Sequence, residues 1–129
     1  MAFSVLKANL AINGVLEEHV KTLDVACSDI EEEIEVRTCV PPYRTMKAIA
    51  KPLDRILEEL GVELSRRSVI IMDVEGAGIK VLKGSIDTLS KSRPRIIMEL
   101  HKGEEKAQEL LESLGYVITK PSDHFIVAK

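Results

Sequence analysis

Two short stretches of the chain bring together side chains that could do chemistry. Asp73 and Glu75 follow the apolar run Val69–Met72, and Glu99 and His101 close a second apolar run. Clustered carboxylates beside an imidazole could hold a divalent cation. They could also act as a general base toward a hydroxyl or an amine. A plain structural role competes with both, in which Glu99 and His101 only satisfy the backbone groups of a loop.

Two strands must lie side by side if these side chains are to meet. The run Val69–Met72 is continuous and bounded by turn residues, which is typical of a strand buried on both faces of a parallel sheet. The run RIIMEL, residues 95–100, repeats that pattern. Sites in open α/β sheets lie outside the carboxyl ends of such strands. We therefore expect Asp73 and Glu99 at one edge of the sheet, within reach of each other.

Helical and strand patterns alternate along the rest of the chain. Apolar spacing predicts helices near residues 3–12, 53–60, 79–89 and 104–114. Further strands are expected at Val20–Ala26, residues 34–40, Tyr116–Thr119 and His124–Ala128, whereas Thr45–Lys51 is interpreted as a loop. This alternation implies parallel pairing with right-handed crossovers, and the tight turn near Pro121 makes the last two strands antiparallel. The prediction is a single α/β domain over residues 1–129, with a mostly parallel sheet and a terminal antiparallel hairpin strand.

Composition excludes several classes of function. The 129 residues carry a net charge of −3, so the chain has no electrostatic footprint for nucleic acid or an anionic membrane. No signal peptide and no apolar run long enough to span a membrane are found. Cys27 and Cys39 lack metal-ligand spacing and are expected to be free thiols in a reducing cytoplasm. The single Gln and two Asn are compatible with a thermophilic source.

The glycine-containing turn after the first apolar run is a weak nucleotide motif. Gly76 and Gly78 lie at a strand-to-helix junction, where bare backbone amides can bind an anion. A dinucleotide fingerprint would need a third glycine at position 81, which is Val81. The two glycines are better explained by a turn that passes close to a neighbouring chain segment or a ligand.

Three spaced motifs resemble the FkbM-type methyltransferases. They read IIMDVEGAGIKVLKGSIDTL from residue 70, RPRIIMELH from residue 93, and ELLESLGY from residue 109. Proteins of that family show a D-V-E-G-A-E turn after a buried strand, then V-L-K-G, then P-x-I-I-x-E-x-H. Upstream, FSVLKANLAINGV and HVKTLDVACSD are similar to the family segment that follows its second strand. The resemblance implies a Rossmann-like class I fold, S-adenosylmethionine as cofactor, and O-methylation of a small metabolite, sugar or glycolipid.

The resemblance also implies roles for individual residues. Asp73 matches the family's acidic residue at the end of the fourth strand, close to the methyl donor, and Glu75 lies in the same turn. Glu99 and His101 match the E-x-H that follows the fifth strand. By position, Cys27, Ser28 and Asp29 would fall near the adenine of the cofactor.

Two departures from the family limit what the chain is expected to do. Gly78 stands where the family has a second glutamate, and the chain begins after the point where the first two strands and their glycine-rich loop would be. We therefore expect weak or no binding of S-adenosylmethionine by this chain, and an uncovered edge on the first central strand. Val20–Ala26, a second copy in a homodimer, or a separate N-terminal half could cover that edge. The alternative function is a non-catalytic, truncated interaction module that uses the exposed edge.

Overall fold

The structure is a computed structural model that describes residues 2–16, 18–38, 41–101 and 105–129. Within those residues the chain forms two β-sheets and five helices. In chain order the elements are α1 Ala2–Ile12, β1 Ala26–Cys27, β2 Glu32–Arg37, β3 Thr45–Lys51, α2 Leu53–Leu60, β4 Val69–Met72, α3 Gly78–Lys83, α4 Ile86–Lys91, β5 Arg95–Glu99, α5 Glu105–Ser113, β6 Ile118–Ser122 and β7 Phe125–Ala128.

The larger sheet has the strand order β4-β5-β7-β6. β4 and β5 pair in parallel, with Ile70 opposite Ile96 and Met72 opposite Met98. β7 pairs antiparallel with both β5 and β6, so β4, β5 and β6 run in one direction and β7 alone is reversed. The expected reversed strand is thus the last in the chain, but it lies inside the sheet rather than at its edge.

The core lies on one face of this sheet. Met72, Ile96, Met98 and Ile126 alternate with side chains on the other face and are all at most 5% exposed. They pack against the three helices α3, α4 and α5, which contribute the buried residues Val81, Leu82, Leu89, Ala107 and Leu111. The chain therefore builds a single layer of helices over one side of the sheet within the described residues.

The expectation that β4 is buried on both faces is wrong. Val69 is 48% exposed and Ile71 is 76% exposed, whereas Met72, on the helix side, is 5% exposed. The apolar run is continuous because both faces of β4 are apolar, but the described residues cover only one of them.

The smaller sheet has the order β1-β3-β2 and corrects two predictions. Thr45–Lys51, expected to be a loop, is strand β3 and pairs antiparallel with all six residues of β2. The strand expected at Val20–Ala26 shrinks to Ala26–Cys27, which pairs with β3 and not with β4. The predicted way of covering the β4 edge with this segment is therefore wrong, because β1 is only two residues long and lies at the edge of the other sheet. Cys39 and Val40, the end of the predicted hairpin arm, lie outside the described residues.

The helix expected over residues 79–89 is two helices, α3 and α4, separated at Gly84. A Cβ atom on Gly84 would stand 2.0 Å from the Ser28 carbonyl oxygen, so the backbone here must pass against another loop. Asp54 on α2 then starts α4, because its two carboxylate oxygens accept hydrogen bonds from the Asp87 amide at 3.0 Å and the Thr88 amide at 2.9 Å. The break is thus set by contacts that are distant in sequence.

The helices of the described residues are each too short or too polar to cross a membrane.

Candidate active site

The first two site residues lie in the turn that joins β4 to α3. Asp73 directly follows the last residue of β4. Glu75 has a φ of 44° and Gly76 a φ of 82°, so two successive residues adopt the left-handed conformation. That conformation is strained for a glutamate and costs about 1 kcal/mol or more. The turn closes where the Ala77 amide donates to the Val74 carbonyl at 3.0 Å.

The β4–β5 register brings the second pair of site residues to the same place. Because Met72 pairs with Met98 in a parallel ladder, Asp73 and Glu99 are the next residues on neighbouring strands. Ligand atoms of Asp73, Glu99 and His101 all lie within 4.8 Å of one another. The structure thus assembles the cluster that the spacing of the two apolar runs predicts. We call Asp73, Glu75, Glu99 and His101 the acidic edge.

His101 lies at the centre of the acidic edge. Its Nε2 is 3.4 Å from Asp73 Oδ1, and its Nδ1 is 3.6 Å from Glu75 Oε2. The His101 side chain is 23% exposed, while those of Asp73 and Glu75 are 64% and 74% exposed. The imidazole is therefore the sheltered member of the group, and in its protonated form it would make an ion pair with each carboxylate.

The backbone after β5 is held by the final hairpin. The Leu100 amide donates to the His124 carbonyl at 2.7 Å, which continues the β5–β7 ladder past Glu99. Since His101 comes next, this hydrogen bond fixes where its side chain leaves the sheet. The strained turn after β4 and the paired backbone after β5 position the acidic edge from opposite sides.

A polar cavity of about 320 Å³ adjoins the acidic edge at His101. Its wall is formed mainly by polar side chains of α5 and the β6–β7 hairpin: Glu105, Gln108, Lys120, Asp123 and His124. Sequence reasoning missed these residues, because no motif links them and only the fold of the last hairpin brings them beside His101. The cavity is at the lower end of the volume range of small-molecule sites. Larger hollows lie away from these residues: one of about 460 Å³ between α1 and the segment that follows it, and one of about 630 Å³ between α2 and α4.

The acidic edge has donors that could hold a cation. Two carboxylates and an imidazole within 4.8 Å are compatible with a divalent ion in ligand type. Exposed carboxylates commonly cluster without an ion, and Asp73 and Glu75 are both more than half exposed. We assign no metal to this site.

The three residues predicted near the adenine make contacts within the fold. Ser28 is 5% exposed, its amide donates to the Lys51 carbonyl at 3.0 Å, and its hydroxyl donates to Asp29 Oδ1 at 3.1 Å. Cys27 is a half-buried free thiol that packs against the same core as the helices, and this burial raises its pKa. These contacts give the segment a structural role, and its role toward a cofactor stays a prediction.

The residues present do not by themselves fit S-adenosylmethionine. The acidic edge suits the positive charges of its sulfonium and ammonium groups. A cofactor of that size needs walls that bury most of its surface. On the β4 side Ile71 is 76% exposed and Asp73 64% exposed, so the described residues leave the donor position open to water.

Comparison with known proteins agrees with the three-motif resemblance. A family model of the methyltransferase FkbM domain matches residues 6–124. The crystal structure of methyltransferase FkbM from Methylobacillus flagellatus KT resembles this chain with a TM-score of 0.58 at 17% sequence identity. The match covers 98% of this chain and 32% of that one, so the chain spans about a third of the length of that structure. No curated protein matches the chain. The match over residues 6–124 confirms the predicted family: this chain belongs to the FkbM methyltransferase domain family.

Proposed function

We propose that this chain is a methyltransferase-like protein whose acidic edge serves S-adenosylmethionine-dependent O-methyl transfer. The acceptor would be a small metabolite, sugar or glycolipid, as the family resemblance implies. The observation that carries the proposal is the convergence of Asp73, Glu75, Glu99 and His101 at the carboxyl ends of β4 and β5. In a Rossmann-like sheet that edge is where ligands bind.

The chemistry asks two things of these residues. Methyl transfer depends mainly on alignment of the donor methyl group with the acceptor oxygen, so Asp73 would serve as a positioning residue. The acceptor hydroxyl must also lose its proton, and His101, Glu75 or Glu99 could accept it. His101 is the best placed of the three, because it belongs to the acidic edge and also lines the polar cavity where an acceptor could lie.

The proposal includes the need for further polypeptide. The chain spans 32% of the length of the FkbM structure that it resembles, and β4 presents an exposed apolar face beside Asp73. Both observations support a site that is completed by residues other than these 129, such as a separate N-terminal half. We therefore expect little or no methyl transfer by this chain alone.

Titration with S-adenosylmethionine, followed by amide chemical shifts, tests this function. We expect millimolar affinity, with shifts confined to Asp73–Gly78 and His101, and a clear loss of affinity in Asp73→Asn. Asp87→Asn is the matched control, since Asp87 is an exposed carboxylate on α4. Shifts that appear away from the acidic edge, or an Asp73→Asn variant that binds the donor as well as the natural chain does, would overturn the proposed site. Micromolar affinity would instead show that these residues suffice and would refute the need for further polypeptide.

A second candidate function is a non-catalytic interaction module. The specific observation that favours it is the exposure of Val69 and Ile71, at 48% and 76%, on a strand at the edge of the sheet. Self-association of the natural chain and of Asp73→Asn can be compared. If both self-associate equally while Asp73→Asn no longer binds the donor, the interaction function is separate from the first.

A further inference from the structure

Two hollows that the proposed function does not use lie next to each other beside α1. The first, of about 460 Å³, lies between α1 and the segment that follows it. The second, of about 330 Å³, lies where residues 23–25 face β3 and α2. Leu23 and Leu60 line both hollows, so the two form one elongated groove. We call it the α1 groove and define it by Lys7, Leu16, Lys21, Leu23, Ile49 and Leu60.

The walls of the α1 groove are mainly apolar, and several of their side chains stay open to water. Leu16 is 57% exposed, Leu23 is 42% exposed, and Ile49 on β3 is 45% exposed. Ile56 on α2 lines the second hollow as a buried residue. Soluble proteins rarely leave a contiguous apolar surface without a use. A mostly apolar wall with a few polar groups is typical of small-molecule sites.

The first hollow carries only positive charge. Its charged residues are Lys7 on α1 and Lys21 in the segment that follows. None of the ion pairs among the described residues involves either lysine, and Lys7 Nζ lies 5.4 Å from the centre of the Phe3 ring. Acidic residues outnumber basic ones by 21 to 18 in the chain, so composition alone does not explain this hollow. An anionic group here would meet two ammonium groups and no carboxylate of the wall.

The acidic residues of the α1 groove border only its second hollow. They are Asp24 and Glu59, and Lys51 Nζ lies 2.9 Å from a carboxylate oxygen of Glu59. That ion pair leaves the second hollow without a net positive charge to attract an anion. The α1 groove therefore has a basic end and an apolar end, which is the pattern of a site for an amphiphilic anion.

We propose that the α1 groove binds a free long-chain carboxylate, of the fatty-acid class. Its carboxylate lies beside Lys7 and Lys21, and its alkyl chain lies along Leu23 and Leu60 into the second hollow. Each hollow is at the lower end of the volume range of ligand sites, so the pair suits an elongated ligand. The inference goes beyond the proposed function, because the groove is built from α1, β3 and α2, whereas the acidic edge follows β4 and β5 of the other sheet.

The charge of the chain favours a single dissolved anion over a membrane as the occupant. The net charge of −3 opposes approach to an anionic lipid surface, whereas one carboxylate can reach a local pair of lysines. An open groove covers an alkyl chain only in part. We therefore expect an affinity like that of a single acyl chain for a membrane, with a dissociation constant of about 100 µM.

Two amphiphiles of opposite charge provide the first test. Dodecanoate and dodecyltrimethylammonium have alkyl chains of nearly equal length, and amide chemical shifts report both their affinity and their place of binding. We expect dodecanoate to shift residues 7–25 and Leu60, and the cation to bind at least about tenfold more weakly. Equal affinities would show an unselective apolar patch and overturn the proposal. Dodecanoate shifts at the exposed Ile71 as large as those in the α1 groove would overturn it as well.

Exchange of the two lysine charges tests the position of the carboxylate. The double variant Lys7→Glu/Lys21→Glu should bind dodecanoate at least about tenfold more weakly and should prefer dodecyltrimethylammonium. Both lysines are exposed, so the variant should fold, which far-ultraviolet circular dichroism checks. Lys106→Glu is the matched control, because Lys106 is an exposed lysine on α5, and it should bind dodecanoate like the natural chain.

Three outcomes of this exchange contradict the proposal. Unchanged dodecanoate affinity in the folded double variant would remove the lysines from the site. Binding to phosphatidylglycerol vesicles without binding of dodecanoate would assign the α1 groove to a lipid surface. Self-association of the natural chain that the double variant abolishes, measured by sedimentation equilibrium, would assign the groove to a second copy.

Discussion

Replacement of Gly84 by alanine tests how the Ser28 loop is held against the junction between α3 and α4. A Cβ atom at this position would lie 2.0 Å from the Ser28 carbonyl oxygen and 3.0 Å from Pro52 Cα. Both neighbours are backbone atoms, so no flexible side chain can move aside. Since β1, the start of α2 and the α3–α4 junction meet here, the substitution must separate them.

The sign of the effect distinguishes this contact from ordinary glycine behaviour. Gly84 has a φ of −78° and a ψ of 7°, which alanine can adopt. Without the contact, alanine would stabilise the protein by about 0.4–1 kcal/mol through the unfolded chain. Overpacking typically costs about 1–3 kcal/mol, and an overlap this large belongs at the upper end. The net expectation is a loss of about 2–3 kcal/mol, or a fall in Tm of about 10 °C for a chain of this length.

Urea unfolding followed by far-ultraviolet circular dichroism measures the change. Gly14→Ala is the control, because Gly14 has a φ of 67° and no atom within 4 Å of its Cβ position, so only backbone strain of about 1–2 kcal/mol applies. A Gly84→Ala variant that is as stable as the natural chain, or more stable, would refute the close approach. A loss no greater than that of Gly14→Ala would likewise show that the Ser28 carbonyl is not fixed against α3.

Three further changes test the site and its supports. Glu75→Gly removes a side chain from a left-handed residue, so we expect the free energy of unfolding to stay the same or to rise by up to about 1 kcal/mol, while donor binding weakens. The control Glu58→Gly, inside α2, should lower the free energy of unfolding by about 1 kcal/mol. Equal losses of stability in the two variants would contradict backbone strain at Glu75. Asp54→Ala should lower the free energy of unfolding by about 1–2 kcal/mol, since the Asp87 and Thr88 amides of α4 lose their acceptor. An unchanged free energy in urea unfolding would show that the Asp54 carboxylate does not cap α4. The hydrogen bond from Lys51 holds the pKa of Glu59 below its ordinary value of 4.5, so the pair stabilises the fold above that pH and is lost as the pH falls through the lowered pKa. The Tm advantage of the natural chain over Glu59→Gln should therefore be present near neutral pH and vanish in acid, and a constant difference would exclude the linkage.

The acidic edge could be predicted because it depends on local patterns and one general rule. The apolar run Val69–Met72 is followed by Asp73 and the apolar residues 96–98 by Glu99, and neighbouring parallel strands place their carboxyl ends together. Once the two strands pair, the positions of Asp73 and Glu99 are fixed to within a residue. The structure needed to add only the turn conformation that aims Glu75 at His101.

The smaller sheet could not be predicted in the same way. β3 contains a period of two, with Met46, Ala48 and Ala50 on one side, but alanine has little strand preference and the signal is weak. What makes it a strand is the ladder with β2 and the two-residue pairing with β1. Such pairing partners are properties of the assembled chain and not of the segment.

The break between α3 and α4 has a similarly distant cause. Residues 79–89 keep helical apolar spacing through Gly84, so the pattern predicts one helix. The carbonyl of Ser28 and the carboxylate of Asp54 approach from segments more than 30 residues away and end one helix and begin the next. The cavity beside His101 was missed for the same reason, since its wall depends on how the last hairpin returns to α5.

The hydrophobicity of β4 and its exposure in the structure together constrain what the chain can do. The sequence supplies apolar residues for two covered faces, and the described residues cover one, so Ile71 is where a second layer must act. Ile71 lies two residues before Asp73 on the same face of the chain, so a layer that covers Ile71 also shelters the carboxylates at the end of β4 from water. Exclusion of water strengthens the attraction between these carboxylates and a cationic methyl donor. The cover of the exposed face of β4 and the proposed donor site are therefore linked, and donor affinity should rise when that face is covered.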